Sequence, residues 1–334
     1  MSTATAIIRS IERIAPLYAA ADWDVSGVQV AGEAESVSKL ALGLDPTPFF
    51  VAQALDWGAE FVLTHHPLAM KPRLLNRLDR YHQVVSRLMK GGAWLYAAHT
   101  SLDAQWRGPA GWLAREMGLD EVDILEPSAK LTPIGIHFHL GVDQQHILEE
   151  WKSLDLVLDL QTPNEEEVLM VCFDRDWPEL KSRISCDIEA CPAFMRMDLA
   201  LPDRTLGFGF VGDLPGPMER DAFTQALMQA LGRGWWTASG TELPETISRV
   251  AYCTGSGAGL ADKAFASGAD VFITGDVKYH FALEAEGPIL DVGHFILEEE
   301  MTRRLADELS EGDGDDWPEV RFFPSVEPMA LYHS

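Results

Sequence analysis

Thr64-His65-His66-Pro67 places two adjacent imidazoles just after Glu60-Phe61-Val62-Leu63, a short apolar run that reads as a buried strand. Within a regular strand neighbouring side chains point to opposite faces, so both rings can converge only where the strand ends and Pro67 turns the chain. Two further strand ends carry chemistry of the same kind. Ala93–Ala98 runs into His99 and Asp103, and Ile289–Val292 into Gly293-His294, with Glu298 four residues on and so on the same side of a helix. Neutral imidazoles and carboxylates together suit zinc, iron or manganese. Three imidazoles and two carboxylates exceed what a single catalytic zinc takes from protein. They suit two divalent metal ions about 3.5–4 Å apart, as in many hydrolases. Each residue also has a plainer reading: His294 and Glu298 as a helix-surface pair, His99 as a core hydrogen-bonder, Asp103 as a helix cap.

The elements that must position these groups alternate. A helix over Thr5–Ala20 meets Pro16, a turn over Asp22–Ser26 leads into a strand at Gly27–Val30, and Lys39–Leu44 is a second strand. Asp45 and Thr47 are placed to cap a helix over Phe49–Trp57. The His65 strand, a helix over Arg77–Lys90 stopped by Gly91-Gly92, the His99 strand and a helix over Ala110–Met117 follow. This alternation predicts a parallel or mostly parallel sheet with helices on its faces, where ligands sit beyond the carboxyl ends of the strands. From about Pro127 the texture changes to strand, helix, strand, strand, helix, strand, the order of a ferredoxin-like unit. The fold class expected is therefore α/β: two α/β halves, residues 1–127 and 205–334, forming one metal-binding core, with an inserted ferredoxin-like βαββαβ domain over 128–204. In the second half, Gly207–Val211 reads as a short strand and Gly212–Pro217 as the turn after it. Arg220–Leu231 is a helix, Ser248–Cys253 and Val271–Ile273 are strands, Phe295–Leu309 is a helix, Glu311–Asp316 an acidic loop and Val320–Phe323 an edge strand.

Composition sets limits. The 334 residues are 47% hydrophobic and 23% charged, with a formal net charge of −26. That excess opposes general binding to nucleic acid backbones or anionic membranes, which carry the same sign. The four cysteines, Cys172, Cys186, Cys191 and Cys253, form no CxxC pair and fit buried reduced thiols. Met1–Ala6 lacks the basic-then-apolar pattern of a secretory signal, and no apolar run is long enough to span a bilayer; the expectation is a cytoplasmic protein.

Several segments match, in order, the motifs of a known family: Trp23-Asp24 to Gly27, Leu44-Asp45-Pro46-Thr47, Thr64-His65-His66-Pro67 to Lys71-Pro72, Ala98-His99-Thr100 to Ala104, Gly255-Ser256-Gly257, Thr274-Gly275-Asp276 to His280, and Gly293-His294 to Glu298. Together they resemble the type-2 GTP cyclohydrolase I-like proteins, also called NGG-interacting-factor-three-like dinuclear metal proteins. The resemblance covers residues 1–127 and 205–310. It implies a dinuclear site with His65, His66, Asp103, His294 and Glu298 as ligands, His99 as a close neighbour, and a ring-shaped homohexamer with the sites facing an internal cavity. Val25-Ser26 stands where the family more often has Asn-Val, and Phe281 where Asp is common; both departures bear on the substrate pocket.

Two functions follow as expectations. One is a metal-dependent hydrolase acting on a small-molecule substrate, GTP or another nucleotide or phosphoester, with His99, Lys278 and His280 moving protons or holding an anionic substrate. The other is a non-catalytic metal-binding hexamer with a regulatory or assembly role. No P-loop is present. Gly255–Gly259 reads either as a phosphate-facing turn or as a tight turn only. Lys278 reads equally as an exposed helix residue, Trp235-Trp236 as aromatic core or else an exposed interface, and His137 with His139 as a solvated strand face that could also hold a third metal.

Overall fold

The computed structural model describes residues 2–154, 156–188, 192–312 and 316–329, and separates into two compact units, Met1–Ser128 with Leu206–Ser334, and Ala129–Thr205. Cys191 and residues 313–315 of the acidic loop lie outside the described residues.

The larger unit holds a five-stranded and a six-stranded sheet. In the first, Glu319–Phe322, Lys39–Gly43, Phe61–Thr64 and Trp94–Ala97 lie side by side and parallel, and Gly27–Val30 joins the last of them antiparallel. Phe61–Thr64 is buried at every position, as its unbroken apolar run requires between two covered faces. In the second sheet the order is Thr237–Ser239, Ile289–Asp291, Val271–Thr274, Thr246–Tyr252, Arg204–Glu219, Asp120–Leu131. Thr246–Tyr252, Val271–Thr274 and Ile289–Asp291 run parallel, and Thr237–Ser239 and Arg204–Glu219 join them antiparallel on either side. One hydrophobic cluster takes Leu40, Leu42, Leu63 and Tyr96 from the first sheet and Phe210, Tyr252, Ile273 and Leu290 from the second. Ile7 and Ile11 of Ala4–Ile14, Phe223 and Leu227 of Arg220–Leu231, and Leu297, Met301 and Leu305 of His294–Ser310 complete it. The two halves are thus one core. Trp112 donates to the Leu297 carbonyl (3.0 Å) and Tyr252 to the Ala110 carbonyl (2.8 Å), so the buried polar tips of both aromatics are satisfied across it.

The smaller unit is a four-stranded antiparallel sheet in the spatial order Met195–Asp198, Pro133–His139, Glu167–Phe173, Val157–Gln161. Fourth, first, third, second is the ferredoxin-like arrangement expected from the βαββαβ order. Its own core joins Ile134, Ile136, Phe138, Trp151, Met170, Leu180 and Ile184, on the side of the helices Leu148–Lys152 and Trp177–Asp187.

Three local readings need correction. Gly212–Pro217 does not end a strand but lies inside the 16-residue strand Arg204–Glu219. Pairing with Thr246–Tyr252 shifts register between Asp213 and Met218, and the two prolines, which have no N–H to give, sit in that break. Asp120–Leu131 is a strand, although its carboxylates hid it; it lies at the sheet edge, where charge is tolerated. Asp45 does not cap the following helix: the Phe50 N–H donates to Thr47 Oγ1, and Asp45 turns to His66. Among the described residues no helix is long and apolar enough to cross a membrane.

Candidate metal centre

At the carboxyl end of Phe61–Thr64 the ladder continues for two residues, His65 N–H to the Gly43 carbonyl and His66 N–H to that of Leu44. Thr64 Oγ1 then donates to the His66 carbonyl at 2.8 Å and closes the turn that Pro67 enforces. The result is the convergence expected at a strand end: the rings of His65 and His66 lie 4.9 Å apart by centroid, His65 wholly buried and His66 partly so. His99, after Trp94–Ala97, brings its ring within 5.3 Å of His65 and 5.6 Å of His66. Asp103 ends the single helical turn that follows. From the other sheet, Gly293 takes a positive φ of 94° and starts the helix His294–Ser310 with His294 as its first residue. The i,i+4 spacing then sets Glu298 beneath it, buried.

Every imidazole is anchored by its Nδ1. His65 Nδ1 meets the Ala98 carbonyl at 3.0 Å, His66 Nδ1 the Asp45 carboxylate at 2.8 Å, His294 Nδ1 that of Asp276 at 2.7 Å, and His99 Nδ1 that of Asp24 at 2.7 Å. An oxygen partner makes Nδ1 the protonated nitrogen and leaves Nε2 with a lone pair facing inward. The Nε2 atoms surround Glu298: His65 Nε2 is 3.5 Å from Oε1, and His66 and His294 Nε2 are 3.0 and 2.7 Å from Oε2. Asp103 Oδ2 is 3.9 Å from His65 Nε2, and its Oδ1 accepts from Thr254 Oγ1 at 2.6 Å.

Three groups of donors therefore lie with their ligand atoms within 4.8 Å of one another: His65, Asp103 and Glu298; His66, His294 and Glu298; and His65, His66 and His99. Glu298 is common to the first two, one oxygen towards each. His65 Nε2, His294 Nε2 and Glu298 Oε2 are buried without a properly angled hydrogen-bond partner, a costly state for protein alone. Inward lone pairs, an ionised carboxylate shared by two donor groups and oxygen partners behind each ring are what divalent cations require, and the residues fit such ions.

The electrostatics agree. Burial would push the Glu298 carboxyl up, but the surrounding imidazoles, His65 first, hold it well below the usual carboxylate range. Burial disfavours the charged form of His66, yet Asp45 and Glu298 outweigh it and push the ring up to about 10; Glu298 and Asp276 likewise raise His294 to about 9. Without cations, then, protons hold their place. Burial raises Asp103. Asp24 is driven down despite burial, because His99, Ser26 and Thr100 all donate to it.

Gly255 explains part of the glycine-rich turn. At φ +60° it faces the cluster, and a Cβ there would stand 2.1 Å from Glu298 Oε1. The Gly257 N–H is already given to Thr274 Oγ1 at 2.9 Å. The turn is a close-packing device at the back of the site.

Lys278 and His280 are not drawn into the cluster. They lie exposed at and just after the start of Tyr279–Glu284, with the His280 ring against Tyr279. Residue-by-residue reading missed Asp24, Asp45, Asp276 and Thr254 as partners. Asp276 carried a usable signal, a non-glycine residue at φ 55° between a strand end and a helix, but only the fold reveals that angle.

Comparisons with known proteins follow the same line. The chain is 25% identical to a GTP cyclohydrolase 1 type 2 homolog of Halalkalibacterium halodurans, over 86% of this chain and 87% of that one. A protein of the same description from Listeria innocua is 26% identical over 86% and 87%. In three dimensions it is similar to a Bacillus cereus protein related to NIF3, with a TM-score of 0.81 at 23% identity over 99% of each chain. The family model of Duf34/NIF3 (NGG1p interacting factor 3) matches residues 2–326, and the chain belongs to that family.

Proposed function

We propose that this protein is a hydrolase using two divalent cations, one held by His65, Asp103 and Glu298 and the other by His66, His294 and Glu298, and acting on GTP or another nucleotide or phosphoester. The observation that carries the reading is the Glu298 carboxylate, whose two oxygens serve two donor groups at once. The names of the relatives point to the substrate class. When bound, such a pair supplies Lewis acidity to both the attacking and the leaving oxygen of a displacement. His99 moves the proton: Asp24 holds its Nδ1–H at 2.7 Å, so Nε2 is free to take a proton and return it. The ring is 14% exposed, accessible to substrate yet fixed edge-on against Trp23. Lys278 and His280, exposed beyond the strand that delivers Asp276, offer an ammonium and a ring N–H to hold an anionic substrate. A homohexamer belongs to the same reading, supported by large apolar side chains left in solvent on the core unit, Leu74 at 80% and Leu78 at 86% exposure.

The test loads metal-free protein with zinc, iron or manganese, counts the ions, and screens GTP, other nucleotides and simple phosphoesters against native protein and Glu298→Ala. Turnover at two ions per chain that vanishes in the variant supports the proposal. Full occupancy with no turnover on any of these substrates sinks it, leaving a non-catalytic metal-binding regulatory or assembly protein.

A further inference from the structure

The smaller unit carries a second group of ligand-type side chains, on the sheet face away from its helices. His137 and His139 stand two apart on Pro133–His139 and so project from one face, while Ile134, Ile136 and Phe138 between and before them fill the core on the other. The two rings are 5.7 Å apart by centroid. On the neighbouring strand the antiparallel register sets Glu167 directly opposite His139. Glu167 Oε2 accepts from Asn164 Nδ2 at 2.8 Å, and Oε1 lies 3.8 Å from His137 Nε2.

A solvated face would explain any one of these residues, but not their combination. Two imidazoles at i and i+2 reach over the same side of a strand, and the directly opposite position brings a third donor with its Cβ about 4.5–5.5 Å away. The 3.8 Å between Oε1 and Nε2 is too long for a hydrogen bond but within reach of one cation, since two metal–ligand bonds of about 2.0–2.1 Å can span it; a tetrahedral ion would draw the two atoms somewhat closer. One carboxylate oxygen is already tied to Asn164, which orients the other. His139 is exposed, and its donor atom does not stand within 4.8 Å of both of the others as the side chains lie, so the site closes only when the His139 side chain turns towards them about its own torsions.

We propose that His137, His139 and Glu167 form a further cation site, independent of the core centre, for a divalent transition metal of the zinc, nickel or copper type. Two imidazoles and one carboxylate disfavour magnesium and calcium, which want oxygen alone. Three protein donors leave a coordination position for water or an outside ligand. A bound ion would pin two central strands of the sheet together.

The full chain, stripped of metal, would be titrated with zinc against a chromophoric chelator. His137→Ala/His139→Ala should bind one equivalent fewer than native protein, whatever the number the core takes. His139→Gln, at an exposed position that leaves the fold undisturbed, should lose the same equivalent, and Glu167→Gln should bind it about tenfold or more weakly. Equal stoichiometry and affinity in native and substituted chains would overturn the proposal, as would displacement of that equivalent by magnesium at similar concentration.

Discussion

At the scale of single residues, the candidate centre sets protons against the cations proposed for it. The folded-state pKa values of His66 and His294, about 10 and 9, lie above their ordinary 6.5. Their contribution to metal-free stability is therefore complete below about pH 6.5 and lost as pH rises through 9 to 10. The melting temperature of metal-free protein should fall across that window, and a flat profile from pH 7 to 10 would contradict the arrangement. By the same linkage, metal uptake at pH 7 should release protons from these two rings, measurable by calorimetry in buffers of different ionisation enthalpy. Gly255→Ala should lower both metal content and melting temperature, because it adds a strain of about 1–3 kcal/mol at a left-handed φ and drives a methyl group into Glu298. Gly259→Ala, in the same turn but with nothing within 4 Å of the added Cβ, is its control and should leave metal content unchanged. The ligand-type residues were legible because imidazoles and carboxylates at strand ends are uncommon in combination. Asp24, Asp45 and Asp276 were not, because an aspartate in a turn reads the same whether it caps a helix or holds a ring.

At the scale of elements, the helix His294–Ser310 joins stability to chemistry. Its first turns supply His294 and Glu298, while Leu297, Met301, Leu305 and Leu309 bury its inner side in the shared core. Leu305→Ala, two turns beyond the donors, should cost about 2–5 kcal/mol in denaturant unfolding while leaving the number of bound ions unchanged in protein that remains folded. A change in ion count there would mean that the helix is not the rigid carrier described. Helices and apolar strands were readable from period and apolar runs: Arg220–Leu231 and Glu167–Phe173 fall where the pattern puts them. The continuation of Arg204–Glu219 beyond Val211, and the whole of Asp120–Leu131, escaped because prolines and carboxylates, which usually mark loops, are tolerated at a register break and at a sheet edge.

At the scale of the whole molecule, the chain is a core interrupted by a self-contained unit. The two points of interruption are held together: Ser128 Oγ lies 3.4 Å from the Leu206 carbonyl and donates to that of Ala19 at 2.7 Å. Replacing residues 130–204 with a short Gly-Ser linker should leave a folded core that keeps its ions and loses the single zinc equivalent assigned to His137, His139 and Glu167. Failure of the shortened chain to fold would show that the two units are not energetically separable.

The shared carboxylate of Glu298 has one more consequence. A first ion would order Glu298 and so prepare the second position, while its charge would repel the newcomer; filling would then be coupled rather than independent, with a curved isotherm in place of two identical steps. His65 and His66 come from one sheet, His294 and Glu298 from the far side of the same core, so the ions would act as a clasp across it. Resistance to heat would then track the supply of free ion, climbing with the logarithm of its concentration and falling away when a chelator strips it out.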